Sequence, residues 1–473
     1  MVDTLRMSWR RALAQAELLF DVALRIAALA LLASLFVAAC HDVSKAYDGW
    51  FYHLPFAARL VGIVDADTYV FGHANQVRYQ GFPLAAEVLQ GLVWRVTGRI
   101  ECANLVAFAS LPAMALFAKR VFGTPAHLTV LALLAVPLVQ IHATAVYVDL
   151  PANTAAAMLA LLGWRALGAP RPPSPKTLAA AGALAAFTAN TKFQLVPTVV
   201  VLAVVLVARS LPKDAERTKR FAIVAVALPF VFFTPLKNLV MWGNPVWPIE
   251  LTLFGHHFPH VEGAYASSPA WLEHVPQQAR FVASVMEAGL RPIASHARWS
   301  LDQWTPPSHD GYRMGGFFGA YVVVLLVALA TFAKRNTKLA FVAFTFVVAS
   351  MPQSHELRYY MVWMIVLVMV VLVTVGRARP RATALVASAA FAVVVWSTEA
   401  GYLYASGDSF RTLVADKVDR GVIDGIRDGE RICVARQPWT FLYAPRFHPE
   451  KRYVVQEAEG DVDCNGARSV DAR

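Results

Sequence analysis

The chain has 473 residues, 57% of them hydrophobic and only 16% charged, with a mean hydropathy of +0.47. That balance excludes an ordinary soluble domain and marks a membrane protein. The formal net charge of +11 does not point to nucleic acid, because many of its basic residues fall in short clusters between apolar runs, as cytoplasmic anchors do.

The clusters are Arg6/Arg10/Arg11, Lys119/Arg120, Arg165/Arg171/Lys176, Lys213/Arg217/Lys219/Arg220, Lys334/Arg335/Lys338 and Arg377/Arg379/Arg381. Threading the apolar runs between them predicts an all-α polytopic membrane protein of about eleven spans, with a cytoplasmic N-terminus and an outer C-terminus. In chain order the spans are 17–40, 101–118, 125–147, 150–167, 177–191, 194–209, 221–241, 316–333, 339–353, 360–375 and 382–400. The "VAAC" ending at Cys40 resembles a lipoprotein cleavage box, but the run before it is long and carries Asp21 and Arg25, so a retained span is expected.

Residues 41–100, 242–315 and 401–473 are too long for simple turns and are expected outside. This gives a membrane domain over 1–400 and a small α/β domain over 401–473. In the first outer segment Leu84, Val88, Leu89, Leu92 and Val93 recur at helical spacing beside Glu87, Gln90 and Arg95, predicting a helix along the membrane surface. The second carries "NPVWP", read as a rigid turn, and an amphipathic stretch near 268–290 that includes Trp271, Leu272, Phe281, Val282, Val285 and Met286. The tail predicts a helical stretch near 409–427 and strands at 431–435 and 452–456. Cys433 and Cys464 fall together in this tail, where an oxidising compartment permits a disulfide; unpaired thiols remain the alternative.

Four polar constellations lie at outer ends of spans. "YDGWFYHLP" brings Asp48, Tyr52 and His53. "YVDLPAN" places Asp149 four residues before Asn153, on one helical face; Asp149 also suits a plain N-cap. "TKFQ" sets Lys192 at a turn, where it either contacts a phosphate or snorkels to the interface. "PQSHELRYYM" gathers His355, Glu356, Arg358 and Tyr359, the best phosphate candidate, since ionisable groups at membrane depth face a cavity or a partner. Glu87 serves either as a ligand or as the polar face of its helix, and His53 either as a ligand or as an interfacial histidine. His53 and His355 would suit a divalent metal with carboxylate support, yet no pair has a diagnostic ligand spacing, and the cofactor stays open.

Taken in order, "YDGWFYHLP", "GFPLAAEVL", "YVDLPAN", "TKFQ", "GNPVWPIE" and "HELRYYM" resemble the motifs of polytopic glycosyltransferases with the GT-C fold, the group similar to protein mannosyltransferases and the aminoarabinose transferase of lipid A. The resemblance covers roughly residues 15–375. It implies a bacterial inner-membrane enzyme with an outer-face active site, an acid in the first outer loop, and a polyprenyl-phosphate sugar donor lying between the spans. The acceptor would be a lipid, glycan or protein.

Several relatives carry two adjacent acids in that loop. Here Asp48 is followed by Gly49, and the nearest acids are Asp65 and Asp67. On this reading Asp48 is the base, and Tyr52, His53, Glu87, Asp149, Asn153, Lys192, His355, Glu356, Arg358 and Tyr359 bind substrate. A transporter or flippase of lipid-linked saccharide, or a non-catalytic envelope-assembly subunit, are the rival classes. The first would show two corresponding halves with broken helices, and no such halving is evident.

Overall fold

Each expected span carries helix. The computed structural model describes residues 2–43, 48–212, 214–263, 274–286, 319–397, 405, 407, 409–417, 421, 424–434, 451–458 and 467–469. Trp271, Leu272 and Cys464 lie outside the described residues. The helices are α1 (Val2–His41), α2 (Leu54–Leu60), α3 (His73–Gly81), α4 (Ala85–Thr97), α5 (Leu105–Phe108), α6 (Ser110–Phe122), α7 (Ala126–Leu134), α8 (Pro137–His142), α9 (Asp149–Gly168) and α10 (Pro175–Ala189). They continue with α11 (Val196–Ser210), α12 (Arg217–Val231), α13 (Phe233–Trp242), α14 (Gln277–Val285), α15 (Gly319–Phe332), α16 (Arg335–Ala349), α17 (Met361–Ala378), α18 (Pro380–Ser397) and α19 (Phe410–Lys417).

Among the described residues, Ala12–His41, Glu101–Phe122 and Phe193–Ser210 are long and apolar enough to cross a membrane. The pair α12 and α13 makes a fourth candidate, bent by 52° at a break just beyond Pro229. Proline has no N–H for the helical ladder and clashes with the preceding turn, which accounts for a bend of this size. Shorter apolar helices cover Tyr321–Phe332, Met361–Gly376 and Pro380–Val393. The run expected at 125–147 is not one rod: it divides into α7 and α8 at Pro137, which takes the first turn of α8.

At the centre, α17 packs against α9, α15 and α18. Its sequence "MVWMIVLVMVVLV" is apolar on every face, as a helix surrounded by other helices requires, and each of these residues is buried. Helix α9 brings an alanine-rich surface, "ANTAAAMLALLG", whose small side chains let neighbouring helices approach closely.

Residues 43–103 and the tail, joined by Val146, form a second core. Strands β1 (Tyr69–Val70), β4 (Arg431–Val434), β5 (Val454–Glu457) and β6 (Arg468–Ser469) build a parallel sheet in the order β1-β5-β4-β6, while β2 (Thr252–Leu253) and β3 (His256–His257) form a hairpin. The tail strands therefore fall where the sequence places them, and their sheet also recruits the first outer segment. Trp50 stacks on Phe410 at 5.3 Å, and Glu457 accepts hydrogen bonds from the Tyr69 hydroxyl, the Gly72 N–H and Asn75. Burial holds the Glu457 carboxyl above its usual range despite these donors. Cys433 is disulfide-bonded, whereas Cys40 and Cys102 are free.

Helix α4 forms as expected, but with a division of faces that its periodicity leaves open. Val88, Leu89, Leu92 and Val96 are exposed, while Glu87, Gln90 and Trp94 point into the protein. Gln90 donates to the Val146 carbonyl at 2.6 Å. Gly91 lets α4 sit directly on α2, since a Cβ there would collide with the Ala57 carbonyl oxygen and with Val61. Helix α13 and the segment after it dock on the end of α3: Asn238 donates to the Gly81 and Trp247 carbonyls at 2.7 and 3.1 Å, and Arg78 grips Glu262 with two bonds of 2.6 and 3.0 Å. "NPVWP" is a turn held by Asn244, which accepts from the Val246 N–H and donates to the Ile249 and Pro259 carbonyls.

Candidate functional site

Immediately after Asp48 the chain makes a π-helical turn, Gly49–His53, and then enters α2. Such wide turns re-aim side chains and recur at functional sites. This one sends Asp48, Tyr52 and His53 toward the starts of α9 and α17 and the turn before α11. There a cavity of about 350 Å³ is lined by Asp48, Tyr52, His53, Glu87, Asp149, Lys192, Arg358 and Tyr359, together with Phe51, Arg78, Phe82 and Gln194. Eight of the sequence candidates thus share one pocket. Asn153, His355 and Glu356 are not on its wall.

Asp149 opens α9, and Lys192 lies in the turn that leads to α11; the two side chains form a buried ion pair. The Lys192 ammonium also lies 4.1 Å above the Tyr359 ring. Asn153 anchors the junction beneath them: it donates to the Asp149 and Arg358 carbonyls at 2.8 and 3.2 Å and accepts from the Val362 N–H at 2.8 Å. Its place is to lock the start of α9 to the start of α17 and so to aim Arg358.

Arg358 Nη2 donates to the Tyr359 hydroxyl at 2.9 Å and lies 3.4 Å from Asp48 Oδ2. Its guanidinium sits over the rings of Tyr359 and Tyr147, at 4.8 and 5.1 Å. Glu356 Oε2 stands 4.0 Å from Arg358 Nε. Burial pushes the Glu356 carboxyl up to about 7, against the opposing pull of Arg358 and Lys192. Across the cavity His53 Nδ1 and Glu87 Oε1 are 2.7 Å apart, with Glu87 only 2% exposed. Among the described residues Glu87 Oε2 has no hydrogen-bond partner. The same residues hold no group of three or more His, Cys, Asp or Glu side chains placed for a metal ion.

A second cavity, of about 160 Å³, lies along the same helices. Ala160, Gly163 and Leu167 of α9, Val201 and Leu202 of α11, Phe341 and Phe344 of α16, and Val366 and Val370 of α17 line it, and almost all of its wall is apolar. At about 1.5 Å per helical residue, it begins on the order of 10 Å inward from the polar pocket.

No protein-family model matches the sequence, and no curated protein matches it. Two of the solved structures that align with the chain are forms of one protein. Both are of ArnT from Cupriavidus metallidurans. The apo form is 14% identical, with a TM-score of 0.48 over 94% of this chain and 90% of that one. The form bound to undecaprenyl phosphate is 13% identical, with a TM-score of 0.49 over 92% and 89%.

Sequence reasoning passed over Tyr147 and Arg78. Tyr147 is fully buried against residues that line the pocket, its hydroxyl accepting from the Asp48 N–H at 3.4 Å and its ring 6.1 Å from that of His53. Arg78 lies over the Phe51 and Tyr52 rings at 5.4 and 5.8 Å. The signal for Tyr147 was its place two residues before Asp149, at the mouth of a span. Arg78 stands two residues before Gln80 in "RYQGFP" and had no comparable mark.

Proposed function

We propose that the chain is a membrane glycosyltransferase that moves a sugar from a polyprenyl-phosphate carrier to an acceptor on the outer face of a bacterial inner membrane. The observation that carries this reading is the pairing of the two cavities: Lys192 and Arg358 at the outer ends of the helices, and an apolar slot running inward along the same helices. A molecule with a charged phosphate and a long hydrocarbon tail matches both at once. Arginine suits the phosphate through its planar fork, and lysine through its point charge.

In the reaction the acceptor hydroxyl or amine gives its proton to the Asp48 carboxylate as its oxygen or nitrogen bonds to the anomeric carbon. The bond from that carbon to the phosphate oxygen breaks, and its electron pair leaves with the polyprenyl phosphate. Arg358 and Lys192 stabilise that developing charge. The aromatic wall of Phe51, Tyr52 and Phe82 offers rings for the sugar face, and Glu87 Oε2 offers an acceptor for a sugar hydroxyl.

The test is sugar transfer in membranes with equal amounts of wild type and Asp48→Asn. The variant keeps the side chain's shape but cannot take the proton, so transfer is expected to fall by about 10²-fold or more. Turnover near wild type would remove Asp48 as the base and pass that role to His53, which is braced by Glu87.

A further inference from the structure

Two of the acids that face the pocket's cations, Asp149 and Asp48, are held differently. Asp149 is almost fully buried, paired with Lys192 and backed by Asn153 on its own carbonyl. Asp48 lies at the mouth with a quarter of its side chain exposed, and its contact with Arg358 is 3.4 Å. That is longer than the roughly 2.7–2.9 Å of a charge-assisted hydrogen bond. Arg358 does not depend on it, since two aromatic rings and the Tyr359 hydroxyl already fix the guanidinium. Asp48, in turn, is steadied by its own N–H on the Tyr147 hydroxyl. Of the two hydrogen bonds that Arg358 Nη2 donates, the 3.4 Å one to Asp48 is easier to exchange than the 2.9 Å one to Tyr359.

We infer that Asp48 and Arg358 form an exchangeable pair, in which the donor's phosphate takes the guanidinium from Asp48 and thereby frees the carboxylate to receive the acceptor's proton. This rests on reading the pocket as the donor site. One arginine then serves as the phosphate anchor and as the guard of the base. The order of events follows: the donor must be seated before the acceptor is activated, so the base is not presented to water or acceptor in advance.

The consequence is counterintuitive and measurable. A residue that competes with the phosphate for Arg358 weakens donor binding, so removing its charge should tighten it. Undecaprenyl phosphate is titrated into the full-length protein in detergent, with wild type, Asp48→Asn, Asp48→Ser, Glu87→Gln, Arg358→Gln and the double variant Asp48→Asn with Arg358→Gln. Both Asp48 variants are expected to lower Kd by about three- to tenfold, the range for relieving one partly exposed ion pair.

Glu87→Gln removes an equal charge from the same pocket, but from the partner of His53, and should change Kd by less than about twofold. In the Arg358→Gln background Asp48→Asn should bring no tightening. An unchanged Kd in the Asp48 variants overturns the exchange, as does equal tightening by Glu87→Gln or tightening that survives Arg358→Gln. Failure of the donor-site reading looks different: wild type would not bind the lipid phosphate at all. Failure of the base assignment would leave these affinities as expected and appear only as retained transfer by Asp48→Asn.

Discussion

The polar pocket is built at the start of α9 and in the turns that lead into α11 and α17, and the apolar slot lies further along these three helices, yet the two answer to different physics. In the pocket each of the three lining cations faces its own acid: Lys192 with Asp149, Arg358 with Asp48, and Arg78 with Glu262. Deleting one partner there strands a charge in a poorly solvated place. In the slot the contacts are alkyl and aromatic, so side chains are interchangeable as long as volume is respected. Helix α9 thus carries specificity at its first turn and tolerance a few turns further along.

The sharpest way to break that contrast is Lys192→Met, which strands Asp149. Loss of one member of a buried pair costs about 3–5 kcal/mol, so thermal unfolding in detergent should shift strongly downward. Adding Asp149→Asn should recover most of the loss, because the uncompensated charge disappears. A single variant as stable as wild type would mean that the pocket does not behave as a set of matched charges.

Gly163→Leu probes the slot. A Cβ there meets only Leu202 Cδ2, at 4.0 Å, so the added carbons enter the cavity. Displacing roughly two methylene groups of a bound tail at ~0.8 kcal/mol each should weaken a polyprenyl phosphate by about tenfold while leaving a short-chain alkyl phosphate unaffected. Equal loss for both chain lengths would place the tail elsewhere.

The smallest effect belongs to Glu356, which lines neither cavity but stands beside Arg358. With its carboxyl raised to about 7, Glu356 is neutral below that pH and becomes a carboxylate above it, beside Arg358 Nε. Affinity for the sugar-linked donor, a phosphodiester with no group titrating in this range, should therefore fall by about three- to fivefold as pH rises through 7. Glu356→Gln should flatten the profile. A slope that persists in that variant would assign the titration to another group.

How much of this was legible in the sequence depends on the range of the contact. Asp48, Asp149, Lys192 and Arg358 stood out because ionisable side chains beside long apolar runs need a reason to be there, and they do meet in one pocket. The partners they chose were less visible. Asp48 and Arg358 were given opposite tasks, base and phosphate anchor, and their contact spans 310 residues. Arg78 finds Glu262 across 184 residues, with no local pattern to announce it.

Helix α4 shows a second limit. Its period reveals two faces, but period alone does not say which face meets the protein, and here Glu87 and Gln90 turn inward while the valines and leucines turn out. The span count met a third: hydropathy ran smoothly through 125–147, and only the backbone chemistry of Pro137 divided it.

The parallel sheet carries a consequence for how the protein is made. Tyr69 and Glu457, joined by a hydrogen bond, are 388 residues apart in sequence, and among the described residues β1 pairs with β5 alone. Asn75, which donates to the Phe51 carbonyl just beyond Asp48, also waits for Glu457. A ribosome delivers the segment bearing Asp48 long before Glu457. Until residues 454–457 have been made, β1 lacks the strand it pairs with and Asn75 lacks its carboxylate. A chain that stops short of them therefore carries the Asp48 segment without this fastening.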